Sequence, residues 1–256
     1  MSPFKPIVSA EEFPVSATLY VTYLKCPQQA LARLRGVYPA PSKALLRGSL
    51  AHRIFARHLV EGPIPDAEFV QVCKVEVGTH LSRQMTSLAL KASEFRQITA
   101  EVTELYETFK LLPVEGFVDA EVDVGSRPVQ GVVIRGRVDA VFRDEDGVRI
   151  ADWKTGAYLD DAEAQLEFYA MAWWHTEGSV PATLEAVSLK TGEKRVSKPG
   201  DDDVQTTESR VAEMITILRG AMDGRVELSR RAGPHCSWCP LLEECDEGRV
   251  ALEILG

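Results

Sequence analysis

The hydrophobic period of the chain changes along its length. Between residues 15 and 112 apolar positions recur mostly at helical spacing. Residues 15–35 read as a helix broken at Cys26-Pro27, because proline removes a backbone hydrogen bond. Residues 42–60 place Leu46, Leu50 and Ile54 on one helical face and stop at Gly62-Pro63. Residues 66–112 are mostly helical in period, with an ambiguous valine-rich patch at 70–77. The pattern then alternates, predicting strands at 117–124, 129–134, 136–142 and 148–154. Residues 160–176 return to helix, with Asp160 or Asp161 as the N-cap. A hairpin follows, Leu184–Lys190 and Lys194–Ser197 around Thr191-Gly192, then a helix at 203–222. Helices, a meandering sheet, a helix, a hairpin and helices again predict an α/β fold with a mixed central β-sheet flanked by helices.

Composition narrows the function. The 256 residues carry 29 basic and 38 acidic side chains, a formal charge of −9. That argues against coating nucleic acid over the whole surface, although a local basic groove remains compatible with it. No apolar stretch approaches the ~18 residues of a membrane span. The N-terminal stretch does not read as a secretory signal, so a cytoplasmic protein without a membrane partner is expected. Clustered cysteines in a reducing compartment are more often metal ligands than disulfides, and five of them fit four ligands and one spare.

The segment Gly136–Gly156, GRVDAVFRDEDGVRIADWKTG, reads as a hairpin with charges where a buried sheet should have apolar residues. A two-residue loop at Glu145-Asp146 pairs Asp139 with Asp152; a loop at Asp146-Gly147 pairs Asp139 with Lys154. In either register the three side chains share a face, with opposed Cβ atoms about 4.5–5.5 Å apart. A salt-bridged surface hairpin would satisfy the same triplet. Two carboxylates in that position are costly to desolvate, however, and a divalent cation removes the cost. Oxygen ligands suit Mg²⁺ or Mn²⁺, which activate water and stabilise charge on phosphate.

Asp139, followed by Asp152-Trp153-Lys154, resembles the PD-(D/E)XK nuclease superfamily, in particular its RecB-type branch. That branch has an upstream G-x-x-x-H helix and a downstream Q-x-x-x-Y helix, matched here by Gly48–His52 and Gln165–Tyr169. An iron–sulfur subgroup adds one N-terminal and three C-terminal cysteines, matched by Cys26 and by Cys236-x₂-Cys239-x₅-Cys245. CRISPR-associated RecB-like exonucleases and the nuclease domains of AddB-type helicase–nucleases share this layout. The resemblance covers residues from about 16 to 246. Val138 stands where the family name has proline.

The resemblance implies one restriction-endonuclease-like nuclease domain over residues 1–256. Its parts would be N-terminal helices (1–60), a helical region (61–116), the nuclease core (117–200), and a C-terminal helix with the three cysteines (201–256). His52, Asp139, Asp152 and the carbonyl of Trp153 would bind Mg²⁺ or Mn²⁺. Lys154 would handle the attacking water, and Gln165 and Tyr169 would lie near the scissile phosphate or brace the site. Glu121 stays outside this ligand set. Cys26, Cys236, Cys239 and Cys245 would hold a [4Fe–4S] cluster joining the two ends of the chain; by spacing alone structural Zn²⁺ is the alternative. Cys73 is expected to be buried and inert, and His58, His80 and His175 structural; His235 lies next to the cluster.

The implied activity is a metal-dependent DNA exonuclease acting on single-stranded ends, in DNA repair, phage DNA processing or CRISPR spacer acquisition. No G-x-x-x-x-G-K-[ST] phosphate loop is present, so unwinding would come from a partner such as a helicase or a CRISPR integrase complex. The alternatives are a DNA-end-binding or assembly subunit with little catalysis, or a zinc-stapled protein without a nucleic-acid role. Arg47, Arg53, Arg57, Arg137, Lys190, Lys194, Arg195, Lys198, Arg230 and Arg231 are candidate phosphate contacts. Trp153, Tyr158, Trp173 and Trp174 are candidate base-stacking rings.

Overall fold

The computed structural model describes residues 2–7 and 12–255. Phe13–Ser16 form a short strand, β1, and Ser16 then caps helix α1 (Ala17–Lys25), its hydroxyl accepting from the Leu19 N–H at 3.2 Å. Pro27 opens α2 (Pro27–Leu34), so the chain breaks at Cys26 as its sequence predicts. Ser42 caps α3 (Lys43–Glu61), which ends at Gly62. The region that follows is all helical: α4 (Asp66–Glu76), a π-helical turn (Val77–Leu81), α5 (Ser82–Ser87) and α6 (Ala92–Phe109). The valine-rich patch is therefore helix, with Phe69, Cys73 and Val77 buried one turn apart.

The sheet comprises β1, β2 (Phe117–Ser126), β3 (Val132–Asp144), β4 (Gly147–Lys154), β5 (Thr183–Ser188) and β6 (Lys194–Ser197). Between β4 and β5 runs α7 (Ala162–Glu177), and after β6 come α8 (Asp201–Met222) and a C-terminal α9 (Asp246–Leu255). The two strands predicted at 129–134 and 136–142 are one continuous strand, β3. Gly136 does not break it. A Cβ there would lie 3.1 Å from Val124 Cγ2, tighter than ordinary contact, and 3.5 Å from the Tyr169 ring, so the glycine spares a crowded approach to Val124 of β2. β1 is too short for its period to be visible in the sequence, and it joins the sheet parallel to β3.

β3 organises the sheet. One edge pairs antiparallel with β2. The other edge is shared: β1 occupies Val132–Arg135 and β4 occupies Ala140–Asp144. Between those segments the edge is split, and Asp139 sits at the split. The hairpin turn is Glu145-Asp146, because Asp144 pairs with Gly147, and that register puts Asp139 next to Asp152 one step beyond the last ladder pair, Ala140 with Ala151.

Two apolar cores cover the sheet. One unites α1, α2, α7 and α8 with Val138, Val141, Ile150 and Leu184; the other unites α3, α4 and α6 with Ala140, Phe142, Ala151 and Trp153. In the second, Phe55 of α3 stacks on Phe109 of α6 at 4.4 Å, and the Trp153 ring meets Phe109 edge-on at 5.6 Å. Asp161 precedes α7 but makes no capping bond; its carboxylate instead pairs with Lys25 at 2.5 Å, tying α7 to α1. Among the described residues no helix is long and apolar enough to cross a membrane.

Phe109 is fully buried behind the helix that carries His52. Phe109→Ala is expected to destabilise the fold by about 3–5 kcal/mol, read as a lower midpoint in urea unfolding. A midpoint unchanged from wild type would refute the packing described.

Candidate active site

The side chains at the split of β3 come from both helical layers. Asp139 Oδ2 accepts the Trp153 N–H at 2.6 Å, taking the place of a ladder bond that β3 no longer supplies. Asp139 Oδ1 lies 3.0 Å from His52 Nδ1. Glu121 of β2 completes a group of three: one ligand atom each from His52, Glu121 and Asp139 lie within 4.8 Å of one another. The β2–β3 register, with 120 opposite 140 and 122 opposite 138, sets Glu121 beside Asp139. Its backbone has a left-handed φ of 54°, a conformation that costs a non-glycine residue about 1–3 kcal/mol and that clusters at functional sites.

A second network adjoins the first. Asp152 is buried, and its Oδ1 accepts from Gln165 Nε2 at 3.0 Å. Lys154 Nζ lies 2.6 Å from Asp152 Oδ2 and donates to Gln165 Oε1 at 2.5 Å. The Lys154 ammonium is thus the ion-pair partner of Asp152 Oδ2, as Gln165 is the donor to Oδ1. Gln165 Nε2 also donates to the Tyr169 hydroxyl at 2.8 Å. Four-residue spacing on α7 puts Gln165 and Tyr169 on one face, over Asp152.

His52 reaches Asp139 because α3 lies close to the end of β4. A Cβ on Gly48 would sit 3.2 Å from Thr155 Oγ1, which explains the small residue one turn before His52. Behind His52, Arg53 and Arg57 bind the buried Glu76 of α4 at 2.7 and 3.3 Å. A cavity of about 480 Å³ opens over the group, walled by Ser49, Leu81 of the π-helical turn, Arg137 and Thr155.

The charges are mutually dependent. Burial works against the His52 cation, but the Asp139 carboxylate outweighs it and holds the imidazole up to about 9. Burial raises the Asp152 carboxyl, with Lys154 opposing and Asp139 reinforcing the rise. Burial and the charge of Asp139 raise Glu121 as well. The site thus holds three crowded carboxylates, with the His52 proton and the Lys154 ammonium as the cations that offset them. A His52, Glu121 and Asp139 donor group of this spacing, set beside the buried Asp152 carboxylate, fits a hard divalent ion such as Mg²⁺ or Mn²⁺.

The structure brings together His52 and Asp139 as ligand atoms, and Asp152, Lys154, Gln165 and Tyr169 as one hydrogen-bonded network. Trp153 presents its N–H to Asp139, while its ring is buried. Glu121 is the residue that sequence reasoning left outside: its strand position was visible, but the approach of β2 to Asp139 was not. Many candidate phosphate contacts are engaged within the protein, Arg47 with Glu101, Arg137 with Asp123 and Arg230 with Glu247. Of the candidate stacking rings, Trp153 and Trp173 are buried, whereas Tyr158 is exposed.

All five cysteines are free thiols. Among the described residues no three cysteine sulfurs lie within 4.8 Å of one another, so no tight metal-ligating group of thiols is formed. Cys26 nonetheless comes near the C-terminal trio: the Cys239 thiol is raised by burial and then by the charges of Cys26, Cys236 and Cys245. Cys236 and Cys245 Sγ both border Gly248, 3.5 and 3.3 Å from where its Cβ would be. His235 Nε2 lies 3.9 Å from Cys236 Sγ. Cys73 is buried apart from them, and burial pushes its thiol up to about 12.

Ligation at His52 requires the loss of its extra proton. Below about 9 that proton is present, so affinity for Mn²⁺ is expected to rise with pH by up to about one log unit per pH unit there. Calorimetry near neutral pH, in two buffers of different ionisation enthalpy, should read about one proton released per ion. His52→Gln should remove that release. An affinity flat across this range would exclude His52 as a ligand.

The comparisons with known proteins follow the same lines. No curated protein shows significant sequence similarity to the chain. An Eubacterium rectale protein named "Putative exonuclease" has a crystal structure that superimposes with a TM-score of 0.52 at 15% identity, covering 92% of this chain and 86% of that one. At that identity the likeness concerns the fold alone. The structure named SSO0001 superimposes at 0.40 with 18% identity, over 77% of this chain and 94% of that one, too loosely to carry an argument. The family model of the PD-(D/E)XK nuclease superfamily matches residues 14–246, and the chain belongs to that superfamily.

Proposed function

We propose that the protein is a metal-dependent DNA exonuclease that hydrolyses phosphodiester bonds at single-stranded ends. The observation that carries this reading is the convergence, at one split in the sheet, of His52, Glu121 and Asp139 with the Asp152–Lys154–Gln165 network. Superfamily membership supports the nuclease chemistry, and the name of the Eubacterium rectale neighbour agrees with an exonuclease. A divalent cation bound there supplies positive charge beside the phosphate and makes a nearby water more acidic.

In this reading His52, Glu121, Asp139 and Asp152 hold the cation. Trp153 fixes Asp139 through its N–H, which leaves Asp139 Oδ1 for ligation. Lys154 orients the attacking water and balances charge developing on the phosphate. Gln165 holds the Lys154 ammonium in place, and Tyr169 braces Gln165 from the next turn of α7. Burial raises the Tyr169 hydroxyl, so it acts as a neutral hydrogen-bonding group.

The proposal extends to the cysteines. Cys26, Cys236, Cys239 and Cys245 hold a [4Fe–4S] cluster that joins the ends of the chain, with His235 beside it. Support comes from the four free thiols and from the mutual influence at Cys239. One tetrahedral zinc, with Zn–S bonds of about 2.3 Å, needs closer sulfurs than the described residues provide. Repair, phage processing and CRISPR spacer acquisition, with a helicase or integrase complex supplying unwound ends, are the settings that fit such an activity.

The test uses anaerobically purified protein with Mn²⁺ on linear, end-labelled and on circular single-stranded DNA. Stepwise loss of the linear strand alone is expected, and Asp152→Ala or Lys154→Ala should lower the rate about a hundredfold or more. Asp152→Ala should keep the brown visible absorbance of an iron–sulfur protein, and Cys236→Ala should lose it. Full activity in contaminant-free Asp152→Ala protein would overturn the site, and a colourless active protein the cluster.

A further inference from the structure

A second concavity begins where the active site ends. Lys154 and Gln165 form one end of a groove of about 790 Å³ that runs to the 3₁₀ turn Pro234–Trp238 beside the cysteines. The floor is apolar, with Val21 and Leu159 contributing to it. Two rings stand over it with much of their surface in solvent, Tyr158 at 82% and Trp238 at 63% exposed. They come from distant parts of the chain, Tyr158 from the loop after β4 and Trp238 from the 3₁₀ turn near the cysteines, so both line one groove only in the folded chain.

The electrostatics say which part of a nucleic acid would fit. Lys154 is paired with Asp152, and Lys25 with Asp161, and Asp160 adds a further carboxylate. A groove with an apolar floor and no surplus of cations offers little to phosphates. It suits the faces of unpaired bases, which stack on aromatic rings without regard to sequence. A base pair held in a duplex keeps both faces covered and cannot use it.

We propose that this groove is a nucleobase-binding subsite, in which Tyr158 and Trp238 stack the unpaired bases of the strand whose phosphate lies at Lys154. The inference rests on the nuclease reading and adds a reason for single-strand preference: the rings accept only bases that have left the helix. Trp238 is the contribution that sequence could not offer, because its neighbours in the chain are cysteine ligand candidates and Tyr158, which lines the same groove, lies 80 residues upstream.

The test measures equilibrium binding by the full chain, without divalent metal, to a fluorescent oligo-dT and to an abasic strand of equal length. Cleavage by the same proteins is measured separately with Mn²⁺. Wild type should bind oligo-dT at least about tenfold more tightly than the abasic strand. Tyr158→Ala and Trp238→Ala should each shrink that ratio several-fold, while binding to the abasic strand stays put. Trp238→Phe, which keeps a stacking face, should retain most of the ratio. Unchanged abasic binding doubles as the check that the variants fold; if a ring-to-alanine variant loses it, the Trp238→Phe protein and a Tyr158→Leu variant carry the comparison. A ratio the same in every variant, or a wild-type ratio near one, overturns the subsite. Base-dependent binding by a wild type that never cleaves would leave the subsite standing and overturn the nuclease reading, whereas normal cleavage with no base dependence does the reverse.

Discussion

The architecture around the site depends on one electrostatic problem, the crowding of Glu121, Asp139 and Asp152 on neighbouring positions of three adjacent strands. Like charges at such spacing, partly removed from water, repel one another, and a fold that keeps them must supply cations. Here the cations come from different elements. α3 delivers His52 to Asp139, and the end of β4 delivers Lys154 to Asp152. The first delivery needs close packing, Gly48 against Thr155. The split edge of β3 is the geometric counterpart, since Asp139 sits where β1 has left and β4 has not yet joined.

How much of this was legible in the sequence follows from the range of each interaction. The hairpin register depended on a two-residue turn between alternating strands, and its Glu145-Asp146 form was one of two that the sequence allowed. The Gln165–Tyr169 pair needed only helical spacing. His52 became a candidate only through resemblance, because nothing in the period of α3 tells which side of that helix meets the sheet. Glu121 was passed over because its significance lies in a left-handed backbone at one position, a feature of the pairing between β2 and β3 rather than of local preference. The end of β1, from Val15, was read as the start of a helix, since four residues carry too little period to separate strand from helix. Gly136 suggested a strand boundary, whereas inside β3 it sits where a Cβ would crowd the Val124 side chain of β2.

The distribution of basic residues shows a similar limit. A list of arginines in an acidic protein invites a track for phosphates, but Arg53 and Arg57 hold the buried Glu76, and the Arg149 guanidinium pairs with Glu185 and covers the Phe142 ring. These pairs fasten α4 to α3 and β4 to β5. Their worth is positional: a half-buried guanidinium with a buried carboxylate fixes one arrangement of two elements, and losing either partner strands the other. The −9 formal charge is therefore no guide to where an anionic ligand would lie, which depends on the few cations left open at the site.

Arg231 donates to the backbone carbonyl of Leu24 at 2.9 Å, joining positions 207 residues apart. On a ribosome, Leu24 has long left the exit tunnel before Arg231 is made. This tie on helix α1, which also lines the groove, therefore forms only after residue 231 has been made. The central hairpin and α7 can assemble earlier from contacts close in sequence. A nascent chain would thus carry Asp139 and Asp152 on their hairpin before the contact between α1 and Arg231 is in place.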